Sequence, residues 1–168
     1  MMDTLAQAIV KLLKEKNMTV TTVESCTGGL LSATLVDVSG ASEVFYQGVV
    51  TYANEAKVRL VGVKEETLKA YGAVSEETAR EMAEGGCKAA NANAALSVTG
   101  IAGPGGGTKE KPVGLVYIGC CVNGKTVIRK NIFSGSRREV REQSVAGAME
   151  LLLECLQKEN QEEKHEIS

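Results

Sequence analysis

The sequence predicts a three-layer α/β/α domain on a mixed, mostly parallel sheet. Three observations carry this. Short β-branched runs alternate with helical segments from Thr4 to Gly100, the pattern that pairs strands in parallel. Asn123-Gly124 then joins two further apolar runs, the strongest short hairpin signal, so part of the sheet is antiparallel. Finally, a chain of 168 residues, 43% hydrophobic and 24% charged, has the size and composition of one domain, and such chains bury about 70% of their unfolded surface. Without internal repeats or a visible second domain, residues 1–158 are expected to form that domain and residues 159–168 a polar, disordered tail.

Leu5, Ile9, Leu12 and Leu13 recur at helical spacing behind Asp3 or Thr4 as cap, and Lys16-Asn17 ends this first helix. "MTVTTVES" is a short strand, and "GGLLSATLVDV" returns to helical spacing. "EVFYQGVVTYA", rich in Val, Phe and Tyr, predicts a second strand. Asn54 is expected to cap "EAKVRLVG", closed by Gly62, and "KEETLKAYG" is a further short helix. Ser75 should cap "EETAREMAEGGCKAANA", whose acids fall in the first turn where the dipole favours them. "AALSVTG" is an apolar strand, followed by the glycine-rich loop "IAGPGGGTKEKP" and the hairpin strands. Ser136 and Glu139 have capping-box spacing at the head of a long final helix.

A net charge of -2 supplies no global field to recruit nucleic acid, so an anion site must be local. The five cysteines are odd in number and contain no CxxC, and strand neighbours Cys120 and Cys121 point to opposite faces; reduced thiols in a cytoplasmic protein are expected. The N-terminus lacks a signal-peptide pattern, and no apolar run approaches the roughly 20 residues that span a bilayer.

The only histidine, His165, sits in the polar tail, which removes the usual base from any Ser-His or Cys-His site. Metal hydrolysis is disfavoured too, because no cluster has ligand spacing. A lysine can replace histidine if burial or a cationic neighbour lowers its pKa. In "ESCTGG", Ser25 falls where the first strand ends, with Gly28 and Gly29 opening the helix. Ligands of open α/β sheets bind beyond the carboxyl ends of strands, where helix N–H groups can meet an oxyanion. Ser25 is therefore either a nucleophile or, like Thr27, a helix cap; Cys26 is either reactive or a small buried thiol. Tyr52 ends the second strand, and Lys57 lies in the first turn of the next helix. The dipole there repels its charge, which lowers its pKa; the alternative is a solvated lysine. Thr99 tips the third strand, followed by a loop whose glycines, beginning with Gly100 and Gly103, permit close approach to a ligand. Arg137 starts the final helix, where guanidinium and N–H groups can hold a phosphate together, whereas Arg138 and Arg141 read as solvated.

"GCCVNGKT" matches the phosphate-binding pattern G-x-x-x-x-G-K-[ST], but that loop must open a helix. Here it falls within the hairpin, so a nucleoside triphosphatase is not expected.

"TVTTVESCTGG", "GVVTYANEAKVRLVGV", "YGAVSEETAREMA", "VTGIAGPGGGTKEKPVG" and "FSGSRREVR" together resemble the competence-damage-inducible CinA C-terminal domain family, whose stand-alone members are nicotinamide-nucleotide amidohydrolases. The likeness runs from about Met18 to the final helix. Many relatives carry an N-terminal nucleotide-processing domain; none is visible here, so the stand-alone form is expected. The resemblance implies a metal-independent Ser–Lys amidase without cofactor, acting on nicotinamide mononucleotide (NMN), with no nucleic-acid or membrane partner. It implies Ser25 as nucleophile, Lys57 as base with Tyr52 assisting, and Thr99 as a substrate-orienting hydroxyl where some members have serine. It implies N–H groups near Cys26, Thr27 and Gly28 at the oxyanion, and Arg137 with the loop of Gly100 and Gly103 at the 5′-phosphate. The alternative is a non-catalytic nucleotide-binding regulatory module. Composition marks no interface; related domains commonly dimerise, which allows a homodimer.

Overall fold

The computed structural model describes residues 2–168. Helices α1 (Met2–Glu15), α2 (Leu30–Val36) and α6 (Arg137–Ile167) cover one face of a five-stranded sheet. Helices α3 (Asn54–Val61), α4 (Glu65–Tyr71) and α5 (Glu76–Ala90) cover the other. The strands β1 (Val20–Glu24), β2 (Val49–Val50), β3 (Ala94–Gly100), β4 (Leu115–Val122) and β5 (Lys125–Ile132) lie in the order β2-β1-β3-β4-β5. β1 pairs in parallel with β2 and β3, and β4 runs antiparallel to both β3 and β5. β4 alone therefore opposes the common direction, which makes the sheet mixed and mostly parallel.

The larger core lies under α1, α2 and α6, where Ile9, Leu13, Leu31, Leu35, Met149 and Leu152 meet Leu96, Val98, Ile118 and Cys120. A smaller cluster of Val23, Val61, Val63 and Met82 seals the α3–α5 side. Local signals act as expected at several ends. Ser75 Oγ accepts from Thr78 N at 3.2 Å at the start of α5, and Ser136 and Glu139 close the capping box on α6. Asn123 and Gly124 both take positive φ, the conformation a tight hairpin requires. Gly119–Thr126 forms strand, turn and strand, so the phosphate-loop match has no helix to open.

Three expectations are corrected. The second strand is only Val49–Val50, preceded by a 3-10 turn at Ala41–Glu43. The Gln47 carbonyl accepts from Thr21 Oγ1 at 2.8 Å instead of a strand amide. Gly48 has no room for a side chain: a Cβ there would meet the Thr22 hydroxyl and lie 2.9 Å from Ser32 Oγ. Next, Ala53 is the N-cap of α3 and Asn54 its first residue, with no side-chain capping bond. Last, residues 159–168 do not leave the fold as a disordered tail: α6 continues to Ile167. Glu159 and Glu162 pair with Lys125 of the hairpin, and Asn160 Oδ1 accepts from Lys16 Nζ. Among the described residues, no helix is long and apolar enough to cross a membrane.

Candidate functional site

The parallel strands deliver their carboxyl ends to one crevice. Ser25 follows β1, Tyr52 follows β2 and Thr99 lies near the end of β3. Together with Cys26, Lys57, Gly100, Gly103 and Arg137 they line a cavity of about 280 Å³.

Lys57 is the unusual member. It projects from the first turn of α3 and is only 1% exposed. Its Nζ is hydrogen-bonded to Ser25 Oγ at 3.0 Å, to the Thr51 carbonyl at 2.7 Å and, more loosely, to the Tyr52 carbonyl at 3.5 Å. Among the described residues, no carboxylate pairs with Lys57 Nζ. Burial lowers the Lys57 pKa, because an uncompensated ammonium loses its hydration. A neutral amine has two hydrogens and one lone pair. The two carbonyls can take the hydrogens, which leaves the lone pair for the Ser25 hydroxyl.

Ser25 is held from both sides. Its N–H donates to the Val98 carbonyl at 2.9 Å, and its carbonyl accepts from Gly28 N at 3.1 Å. Gly28 and Gly29 take φ of 59° and 106°, the left-handed region that glycine tolerates, so the chain reverses before α2 begins. Neither Ser25 nor Thr27 caps α2. That role belongs to Glu24, whose carboxylate accepts from Leu31 N at 2.8 Å, Ser32 N at 3.1 Å and Ser32 Oγ at 2.7 Å. The Gly28 N–H is already engaged with Ser25. Among the described residues, the N–H groups of Cys26 and Thr27 have no backbone carbonyl partner, and they directly follow Ser25 in the chain. Burial pushes the Cys26 thiol up to about 11, so it remains a protonated, inert neighbour.

Arg141 was expected in solvent. Instead its Nε donates to the Cys26 carbonyl at 3.1 Å and its Nη2 to the Thr27 carbonyl at 2.9 Å. A trans peptide sets C=O and N–H in opposite directions. Gripping the Cys26 carbonyl from the α6 side therefore turns the Thr27 N–H the other way. The available signal was spacing: Arg141 lies one helical turn after Arg137, on the same face.

Arg137 and Tyr52 form the outer rim. Arg137 Nη1 donates to the Gly103 carbonyl at 2.9 Å and Nη2 to the Tyr52 hydroxyl at 3.0 Å. The Tyr52 hydroxyl thus meets the arginine, and only its main-chain carbonyl reaches Lys57. A guanidinium carries five donors, so Arg137 keeps three for a ligand. Thr99 Oγ1 donates to the Ala73 carbonyl at 2.8 Å and retains its lone pairs for the cavity. Gly100 is required by crowding, since a Cβ would fall 2.8 Å from the Leu115 carbonyl. His165 lies roughly 40 Å along α6 from Arg137, at about 1.5 Å per residue, far from this crevice.

A family model described as the CinA C-terminal domain matches residues 2–156. A relative in Clostridioides difficile (strain 630), named for competence and damage induction, is 58% identical over 137 residues, covering 82% of this chain and 33% of the relative. A CinA-like protein of Kosmotoga olearia is 50% identical over 154 residues, 92% of this chain and 37% of that protein. The chain thus spans about a third of the length of these curated relatives. Among solved structures, the competence/damage inducible protein CihA from Agrobacterium tumefaciens superimposes with a TM-score of 0.90 at 42% identity, covering 93% of this chain and 95% of that one. A CinA superfamily protein from Klebsiella pneumoniae gives a TM-score of 0.91 at 34% identity, covering 94% and 99%.

Proposed function

The chain belongs to the CinA C-terminal domain family, and from that premise we propose that it hydrolyses the carboxamide of NMN to nicotinate mononucleotide and ammonia. The observation that carries the proposal is the buried Lys57 amine 3.0 Å from Ser25 Oγ, whose other partners among the described residues are main-chain carbonyls.

Neutral Lys57 takes the Ser25 proton as Oγ attacks the carboxamide carbon. Negative charge then develops on the carboxamide oxygen, and the N–H groups of Cys26 and Thr27, which have no backbone carbonyl partner, would donate to it. Lys57 returns the proton to the leaving nitrogen, and ammonia departs. A water molecule, deprotonated by the same amine, releases the acid from Ser25. Arg137 supplies its remaining donors to the 5′-phosphate. The capping box already occupies the Ser136 and Glu139 N–H groups, so the guanidinium rather than the helix end carries most of that contact.

The test is ammonia release from NMN by the purified chain and by Ser25→Ala. Turnover in the parent and none in a folded Ser25→Ala supports the covalent route. Calorimetric binding of NMN without ammonia would indicate a nucleotide-binding module, and full turnover in Ser25→Ala would eliminate serine as nucleophile.

A further inference from the structure

The adjacent cysteines of β4 face opposite layers, and each meets a second thiol. Cys120 is fully buried toward α6 beside Cys155. Cys121 faces α5, where Cys87 lies against its sulfur and its carbonyl, with Sγ 4.0 Å from that carbonyl oxygen. The second pair lines a cavity of about 520 Å³ together with Glu84, Lys88 and Asn93; Cys87 is half-buried there and Cys121 is 3% exposed. This cavity is at the far end of the sheet from Ser25. Cys121 pairs with Ala95 on β3, whereas Ser25 adjoins Val98, so the thiols stand three strand residues, about 10 Å, further back.

From the juxtaposition of Cys87 and Cys121 at this open cavity, we propose that the pair is a peroxide-reactive dithiol that closes reversibly to a disulfide stapling α5 to β4. The two sulfurs are chemically unequal, as such a reaction needs. The hydrogen bond from Cys87 lowers the Cys121 thiol and raises the Cys87 thiol, so Cys121 is the more acidic sulfur of the two and Cys87 the one that holds its proton longer. The Lys88 ammonium and the Glu84 carboxylate also line the cavity, and Glu84 accepts from Thr126 Oγ1 at 2.9 Å.

In the first step the Cys121 thiolate attacks one oxygen of hydrogen peroxide. An S–O bond forms, the O–O bond breaks, and hydroxide leaves and is protonated to water. Cys121 is now a sulfenic acid, oxidised by two electrons. The Cys87 sulfur then attacks the Cys121 sulfur. The S–S bond forms, the S–O bond breaks, and the departing hydroxide takes the Cys87 proton as water. One peroxide and two thiols give one disulfide and two waters. The bridge closes a separation of 34 residues, long enough to restrict the unfolded chain.

The test is graded hydrogen peroxide on the intact protein, followed by peptide mapping and thermal unfolding with and without dithiothreitol. The expected result is a Cys87–Cys121 link, loss of two hydrogens in intact mass, a raised melting midpoint, and full reversal by dithiothreitol. Cys87→Ser should abolish the link and leave a dimedone-reactive sulfenic acid at Cys121. Cys155→Ser, on the opposite face, should leave the link intact. Unchanged thiols, a preferred Cys120–Cys155 bridge, a link between two chains, or direct passage of Cys121 to sulfinic acid would each overturn the proposal. None of these readouts depends on amidase activity.

Discussion

Glu24 and Lys57 are both buried ionisable side chains at the end of β1, one on each face of the sheet, and their environments differ in kind. Glu24 is 0% exposed, and three donors from α2 satisfy its carboxylate. Its charge is consumed in starting a helix and holding it against the strand. Lys57 is equally hidden, but its neighbours are two carbonyls and a hydroxyl. Nothing there balances a positive charge, so burial favours the neutral amine. A compensated buried group builds structure; an uncompensated one is left with a reactive lone pair.

Breaking the reactive half should give the largest effect. Lys57→Ala is expected to reduce ammonia release by roughly 10²–10⁴-fold, the range of a lost general base. Lys57→Arg should be no better, because a guanidinium does not deprotonate. Retention of most turnover in either variant, measured on folded protein, would remove Lys57 from the reaction.

Breaking the structural half should instead cost stability. Glu24→Gln turns an NH₂ group toward N–H donors and is expected to lose about 1–3 kcal/mol in urea unfolding. Lys57→Met, which keeps a similar volume and removes the buried amine, should match or exceed the parent in stability at neutral pH. If Glu24→Gln were neutral while Lys57→Met unfolded the protein, the contrast between the two groups would be reversed.

Arg141 lies between these extremes, since it holds the turn after Ser25 without entering the cavity lining. Arg141→Ala is expected to lower kcat about tenfold, or ~1.4 kcal/mol in the barrier, with a smaller change in KM. A KM effect alone would instead tie Arg141 to substrate binding.

The smallest effect is a slope with pH. The Lys57 pKa is lowered on folding from 10.5. Between its folded value and 10.5 the unfolded chain binds the extra proton, so this group makes stability rise with pH and fall as pH drops. The stability gap between Lys57→Met and the parent should therefore narrow as pH approaches 10.5. The rate should rise with pH through the folded pKa and then level. A gap that widens with pH would mean that the lysine is stabilised as a cation.

Much of the fold was legible because its signals are local. The Ser75 and Ser136 caps, the Asn123-Gly124 turn and the alternation of Cys120 and Cys121 each depend on a few neighbouring residues. A histidine base was set aside because the single histidine, His165, stands at the far C-terminal end of the sequence. Ser25, Tyr52, Lys57 and Thr99 converge because each stands at the end of a strand, or one turn beyond, in a sheet whose sense the sequence implied. The short β2 was not legible, since the Thr21 hydroxyl takes the Gln47 carbonyl and the β1 and α2 side chains leave room only for glycine at position 48. Nor was the role of Glu24, which looks like the polar end of a strand until α2 folds back over it.

The sequence by itself determined the order of elements, the helix caps, the hairpin and the need for a base other than histidine, because those follow from backbone preferences and residue inventory. Only the tertiary structure decided which charges are compensated. It also explains Gly85-Gly86 inside α5, a pair that costs about 1 kcal/mol per glycine relative to alanine. A Cβ at Gly85 would strike the Val61 carbonyl, and one at Gly86 would come within 2.6 Å of Val23 Cγ2. The grip of Arg141 on the Cys26 and Thr27 carbonyls likewise spans more than a hundred residues. Such contacts exist only when distant segments pack, and desolvation, which lowers the Lys57 pKa, is a property of that packing.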